Sequence, residues 1–376
     1  MGVNIIEMKT PLETELVETE DFVFGPVGQI GADAKTYLFE RRYNNSFALL
    51  NELLKNKVEV YWSDAEFTVQ NKKYPAGTFI VPGKSGAAPR LKTLSEKFSV
   101  PVYGVSEAPR VKKTQALLPR LGIYHPWTAN KDEGWTRLVL DNFKYSYKQL
   151  YNKEIKQGKL AGKYDAVIIP DASIAAIVDG KRRWRSSSFV GSPKKPEKYR
   201  GGIGREGIEA LTAFVKAGGT LICFGEASDF AIEKLHLPAK NVLKDVKRKD
   251  FYAPGSLLEI ELDLSQPLAY GMPRRTAVRL TGSPTFRLLS HIRESKAVGY
   301  YNQENPLLSG WLVGAEKLAG RTALAEIPVE KGRVILFGFR VQSRAQTFGT
   351  FKLLFNAINT SRGAVPPAYK GLSSDR

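Results

Sequence analysis

The run Tyr164-Asp165-Ala166-Val167-Ile168-Ile169-Pro170 constrains this chain more than any other stretch. Ala166 to Ile169 contains no polar residue, so as a strand it has no face to offer water. Such a strand belongs inside a sheet covered on both sides. Thr220 to Phe224 and Gly332 to Phe339 read as further mainly apolar strands, with only Thr220 and Arg333 polar. Helical patterns lie between these runs. Ile208, Leu211, Phe214 and Val215 fall on one helix face, and Gly218-Gly219 stops that helix. Phe351, Leu354, Phe355 and Ile358 mark a last helix on one apolar face. Strands alternating with helices predict an α/β fold with a mainly parallel sheet and helices on both faces.

The chain has 376 residues, which suggests about two domains. Residues 1–34 read as irregular, with one strand near Phe22 to Phe24. Residues 35–110 read as a small α/β domain. It has strands at Tyr37 to Phe39, Val58 to Trp62, Thr78 to Val81 and Val100 to Val105, and helices after Asn45 or Ser46 and over Ala88 to Phe98. Asn45 or Ser46 serves there as a helix cap. Pro109 to Pro119 reads as a basic linker. The second domain spans 119–362 and is richest in strand signals over 255–330. Residues 363–376 read as a mobile Pro/Gly/Ser tail.

Composition narrows the classes of function. A hydrophobic content of 43% excludes wholesale disorder, and no apolar run approaches the roughly 18 residues of a membrane span. Met1 to Asp21 is mixed and acidic, with no export-signal pattern. Cys223 is the single cysteine, so an internal disulfide and a cysteine-rich metal site are excluded. No cofactor is expected. Net charge is +18. Its densest part runs from Lys181 to Arg200, where eight basic residues face one acid, Glu197, in a loop-like composition. That charge suggests a small anion as partner; nucleic acid is not the expected one.

Ligands of parallel sheets meet the carboxyl ends of the strands. That rule selects His125, Trp127, Asp132, Glu133 and Arg137 after the first strand of the second domain, and Asp171 after the next. It then selects Cys223, Glu226 and Ser228, and finally Arg340, Gln342 and Arg344. Trp127, Asp132, Glu133, Arg137, Asp171, Arg340 and Arg344 are the candidate ligand-binding residues. The bland reading of the 127–137 segment has Asp132 capping a helix. A catalytic reading rests on Cys223 with Glu226, because Leu221-Ile222-Cys223-Phe224-Gly225 carries a cysteine into a strand-to-turn glycine. A thiolate nucleophile needs a base. The late strand is followed by Arg340-Val341-Gln342-Ser343-Arg344, with no histidine, so Cys223 reads as a small buried apolar residue. His291 and Glu294 have the spacing of a zinc pair, but no histidine follows to complete a set. Gly202-Ile203-Gly204-Arg205-Glu206-Gly207 fits a phosphate-loop pattern without a strand before it, and reads as a helix entry.

Taken together, several runs resemble one family. They are Trp127 to Arg137, Tyr164 to Asp171, Phe251-Tyr252-Ala253-Pro254-Gly255-Ser256, Pro267 to Pro273 and Gly332 to Arg340. They resemble the C-terminal region of large bacterial zinc-carboxypeptidase-like proteins. The resemblance covers roughly residues 20–362. It implies a small α/β segment followed by a flavodoxin-like domain of the class I glutamine-amidotransferase kind, accessory to an exported, periplasmic or secreted, carboxypeptidase domain. Met1-Gly2-Val3 resembles a point just after that domain, so the expected partner is a peptidase domain, in the same chain or in another. The zinc ligands of the peptidase have no counterparts here, and Ser343 and Phe348 stand where relatives carry histidines. The expectation is a non-catalytic accessory module, with a Cys223 hydrolase and a polyanion binder through 181–200 as rivals.

Overall fold

A computed structural model describes residues 34–83, 87–181, 200–289, 295–302 and 304–362, with isolated positions in 9–31 and at 196. The expected strand at Phe22 to Phe24, most of the 181–200 loop, the His291/Glu294 pair and the 363–376 tail lie outside the described residues. The chain divides into two compact units, Met1–Ala116 and Leu117–Arg376.

In the first unit β1 (Thr36–Phe39) leads to helix α1 (Asn45–Lys55) and then to β2 (Tyr61–Ser63). The hairpin β3 (Phe67–Val69) and β4 (Lys72–Tyr74) follows, then β5 (Phe79–Pro82), α2 (Ala87–Phe98), β6 (Tyr103–Val105) and β7 (Lys113–Gln115). The hairpin turns on Gln70 and Asn71, both left-handed, which matches the strand twist. The main sheet runs β6-β1-β5-β2-β7 and is antiparallel throughout. Two sequence expectations need correction. Asn44, not Asn45 or Ser46, precedes α1; Ser46 donates its hydroxyl to Glu40 O at 2.6 Å instead. Lys113 to Gln115 sits in the stretch read as linker, yet pairs with β2 as an edge strand. Two flanking prolines and basic side chains hide a strand that backbone pairing alone creates.

The second unit opens with β8 (Leu121–Tyr124), α3 (Lys131–Asn142), β9 (Tyr147–Leu150), α4 (Asn152–Lys156), β10 (Ala166–Ile169) and α5 (Ile174–Val178). Helix α6 (Gly204–Lys216), β11 (Thr220–Phe224) and α7 (Ala227–Lys234) continue the alternation. A strand-rich segment then interrupts it: β12 (Ala239–Asn241), β13 (Pro254–Leu262), β14 (Arg275–Thr281), β15 (Phe286–Leu288), β16 (Lys296–Tyr300), β17 (Leu307–Ser309) and β18 (Thr322–Val329). Finally come β19 (Gly332–Phe337) and α8 (Phe351–Asn359).

The protein is thus a mixed α/β protein with a large mixed sheet. Five neighbours, in the order β9-β8-β10-β11-β19, are parallel. From β18 outward the pairs are antiparallel, through β16 and β13 to β14. This corrects the expectation of a mainly parallel sheet. β18 and β19 are joined by two residues, too short for the helical crossover that parallel strands require. The 239–329 segment therefore extends the sheet by hairpins.

One core cluster centres on the parallel strands and reaches into β15 and β18. Ile169 lies beside Cys223, and Cys223 beside Leu336. Val167, Leu221, Phe214, Phe230 and Val334 pack around them. Each such side chain contributes roughly 1.5–3 kcal/mol through burial. Gly218 (φ 111°) closes α6, and Gly219 N donates to Phe214 O at 3.0 Å. Helix α8 departs from its one-faced sequence pattern, because all nine of its residues are buried. Its polar Asn356 survives there by donating to Leu268 O at 3.0 Å and Tyr270 O at 2.8 Å.

Candidate functional site

Four parallel strands deliver their carboxyl ends to one cleft of about 430 Å³. Asn130 caps α3 and Lys131 and Asp132 begin it after β8, Asp171 to Ser173 follow β10, Glu226 follows β11, and Arg340 with Ser343 and Arg344 follow β19. Arg279 and Thr281 enter from β14.

The local chain explains this convergence. Asn130 caps α3: its Oδ1 accepts from Asp132 N at 2.9 Å and Glu133 N at 3.1 Å. This corrects the reading of Asp132 as the cap. Relieved of that task, the Asp132 carboxylate meets the opposite wall. Its Oδ1 accepts from Gln342 Nε2 at 2.8 Å and its Oδ2 from Asp171 N at 3.1 Å. Gln342 Nε2 also donates to Thr136 Oγ1 at 3.1 Å. The Arg340 guanidinium pairs with Asp171 and lies 3.7 Å from Asp132. Asp171 Oδ1 accepts from Glu226 N at 2.7 Å. Gly225 (φ 51°) makes this approach possible, since a Cβ there would stand 2.2 Å from Asp171 Oδ1.

Burial pushes the Asp132 carboxyl up to about 6, and the Asp171 charge adds to this. Arg340 and the hydrogen bonds from Asp171 N and Gln342 pull the other way. The cleft floor thus sets two acidic side chains around one guanidinium. The buried Nε of Arg340 has no hydrogen-bond acceptor among the described residues.

The remaining sequence candidates form a separate cluster. Glu133 is 2% exposed; its Oε1 lies 2.7 Å from Arg137 Nε, 3.0 Å from His125 Nδ1 and 3.3 Å from Gln149 Nε2. Trp127 stacks on Tyr151 with ring centroids 4.6 Å apart. Glu133, Arg137 and Trp127 are thus absent from the cleft lining: Glu133 ties α3 to β9, and Trp127 packs over the start of α4. Helix periodicity accounts for the difference, because consecutive residues 132 and 133 face different directions. Arg279 escaped the sequence rule altogether. It arrives on an antiparallel strand, and strand-end reasoning points only to parallel ones.

Cys223 does not reach the cleft. It lies fully buried in mid-sheet, and burial alone pushes its thiol well up. Glu226 does line the cleft. Ser228 is buried and turns its hydroxyl to Cys223 O at 3.3 Å. Gly204 opens α6, and Gly202 packs where a Cβ would stand 2.2 Å from Ile177 O, so these glycines serve close packing. Among the described residues no group of three or more His, Cys, Asp or Glu side chains is gathered to hold a metal ion. No described helix is long and apolar enough to cross a membrane.

No family model matches the chain, and no curated protein matches it. Among solved structures, a cytoplasmic protein of Salmonella typhimurium is similar over 65% of this chain and 98% of its own, at 12% identity and a TM-score of 0.40. A ThuA-like protein of Bacteroides uniformis is similar over 64% and 89%, at 11% identity and a TM-score of 0.36. A beta-galactosidase of Bacillus circulans is similar over 65% of this chain and 31% of its own, at 10% identity and a TM-score of 0.35. These are loose likenesses only.

Proposed function

We propose that this chain is a non-catalytic accessory module of a zinc-carboxypeptidase-like protein, and that its second unit is a flavodoxin-like, glutamine-amidotransferase-like domain retained for binding. The strand order of the parallel half supports the fold reading. Numbered along the chain, those five strands run 2-1-3-4-5, the flavodoxin-like order, whose switch point lies between the first and third strands. Here that crevice lies between β8 and β10, where Asp132 and Asp171 meet. The parentage rests on the resemblance of the motif runs.

One observation carries the non-catalytic reading. The cysteine of the strand-to-turn motif is sealed in the core, with its thiol held in the neutral form. A thiol without a base or access is a poor nucleophile. The carboxylates of the cleft are likewise engaged with one another's neighbours, an arrangement suited to holding shape.

Iodoacetamide labelling of the native chain tests this, together with a zinc-supplemented assay for release of C-terminal residues. Cys223 should label only after unfolding, and no residue should be released. Rapid native labelling that abolishes a hydrolytic activity would establish the rival hydrolase; C-terminal trimming with stoichiometric zinc would overturn the accessory reading.

A further inference from the structure

The cations of the cleft point to what it takes. Lys131, Arg279, Arg340 and Arg344 line it against Asp132, Asp171 and Glu226, an excess of one positive charge. The aspartates are committed: Asp132 to Gln342 and Asp171 N, and Asp171 to Arg340 and Glu226 N. Lys131 and Arg344 make no ion pair among the described residues, and Arg344 is exposed. Arg279 Nη1 donates to Ser343 Oγ at 2.5 Å, which fixes one guanidinium beside the residue that precedes Arg344. Arg344 (φ 53°) and Ala345 (φ 56°) are both left-handed, a conformation with a cost for side chains other than glycine. The cleft therefore carries an excess of positive charge, with Arg344 on the β19–α8 connection and Arg279 held beside it from β14.

We propose that the cleft binds a small organic monoanion, with its carboxylate between Arg279 and Arg344 and its apolar part against Trp135. Guanidinium groups suit a planar carboxylate, which they bind through paired N–H groups. Trp135 is 37% exposed and lines the cleft, so it offers an apolar wall open to a ligand. A phosphate dianion fits worse, because its second charge faces Asp171 and Glu226 with only one excess cation to balance it. This deepens the binding-module reading, and the two fail separately: a reactive Cys223 removes that reading, whereas the titration below decides this one.

The full chain is titrated by calorimetry at neutral pH with acetate, benzoate and 3-phenylpropionate, and with 3-phenylpropionamide and inorganic phosphate. One equivalent of 3-phenylpropionate is expected to bind, more tightly than acetate. Arg344→Gln and Arg279→Gln should each weaken it about tenfold, the effect of losing one charge-assisted contact. Arg205→Gln, at an exposed position on α6, should leave binding unchanged. Circular dichroism and the thermal midpoint establish that each variant is folded. Equal binding of the amide, tighter binding of phosphate, indifference to Arg344→Gln, or no binding of any of the three acids at millimolar concentration would each overturn the proposal.

Discussion

Gly225 decides more about the cleft than any charged residue in it. Its left-handed backbone carries the chain from β11 into α7 within contact of Asp171. A side chain at this position would both strain the turn and push Asp171 from Glu226 N. Gly225→Ala is expected to lower stability by about 1–3 kcal/mol, measured by urea unfolding. It should also displace the Asp171 carboxylate from Arg340, visible as changed side-chain resonances of Arg340. An unchanged stability would mean that the turn adjusts without cost. The sequence shows Gly225 at a strand end but not its neighbour, because Asp171 lies far away along the chain. Cys223 shows the complementary case. Its apolar surroundings, Leu221-Ile222 and Phe224, already read as core, and its position is core.

Among elements, a buried ion pair joins β19 to β18, and its arginine also ties the end of α8 by hydrogen bonds. Arg333 Nη1 lies 3.3 Å from Glu326 Oε2, and Arg333 Nη2 donates to Thr360 O at 2.5 Å and Thr360 Oγ1 at 2.8 Å. Both side chains are nearly inaccessible, so removing one partner strands a buried charge. Arg333→Met should cost about 3–5 kcal/mol, whereas Arg333→Met with Glu326→Leu should recover most of that loss. A double-mutant cycle by chemical denaturation measures the coupling; additive losses would show that the pair does not act as a unit. The sequence shows Arg333 inside an apolar strand but not Glu326 or Thr360 as its partners. Period-two and period-3.6 patterns place elements such as β11, α6 and α8 well, since they depend on neighbours one or two turns away. They missed β7, whose strand character comes from its pairing with β2 some fifty residues earlier, and could not bring Arg279 of β14 to the cleft.

At the scale of the molecule, burial of acids sets how stability varies with pH. Asp132 and Asp229 are both raised to about 6, mainly by desolvation. Between the ordinary value of 3.8 and about 6 the folded chain holds protons that the unfolded chain has lost. Their contribution is therefore greatest below that window, and is lost as pH rises through it. Asp132 faces Asp171 and Arg340, and Asp229 faces Asn241, Glu233, Lys244 and Glu226, so each remains ionisable within its own cluster. Unfolding free energy measured across pH 4–7 should contain this downward component, and Asp132→Asn should remove about half of it. An identical pH slope in the variant would place the proton elsewhere.

The sequence by itself determined the α/β class, the buried strands, the ends of α6, and the set of strand termini from which Asp132, Asp171, Glu226, Arg340 and Arg344 come. These follow from local patterning: an unbroken apolar run has nowhere to go but the inside of a covered sheet. Tertiary structure decided the rest. It turned the sheet antiparallel beyond β19, withheld Glu133, Arg137 and Trp127 from the cleft, and brought Arg279 in from β14. Each of these outcomes depends on which strand lies beside which, and on the direction a side chain takes from its helix. Such relations join residues far apart in the chain, and no local pattern carries them.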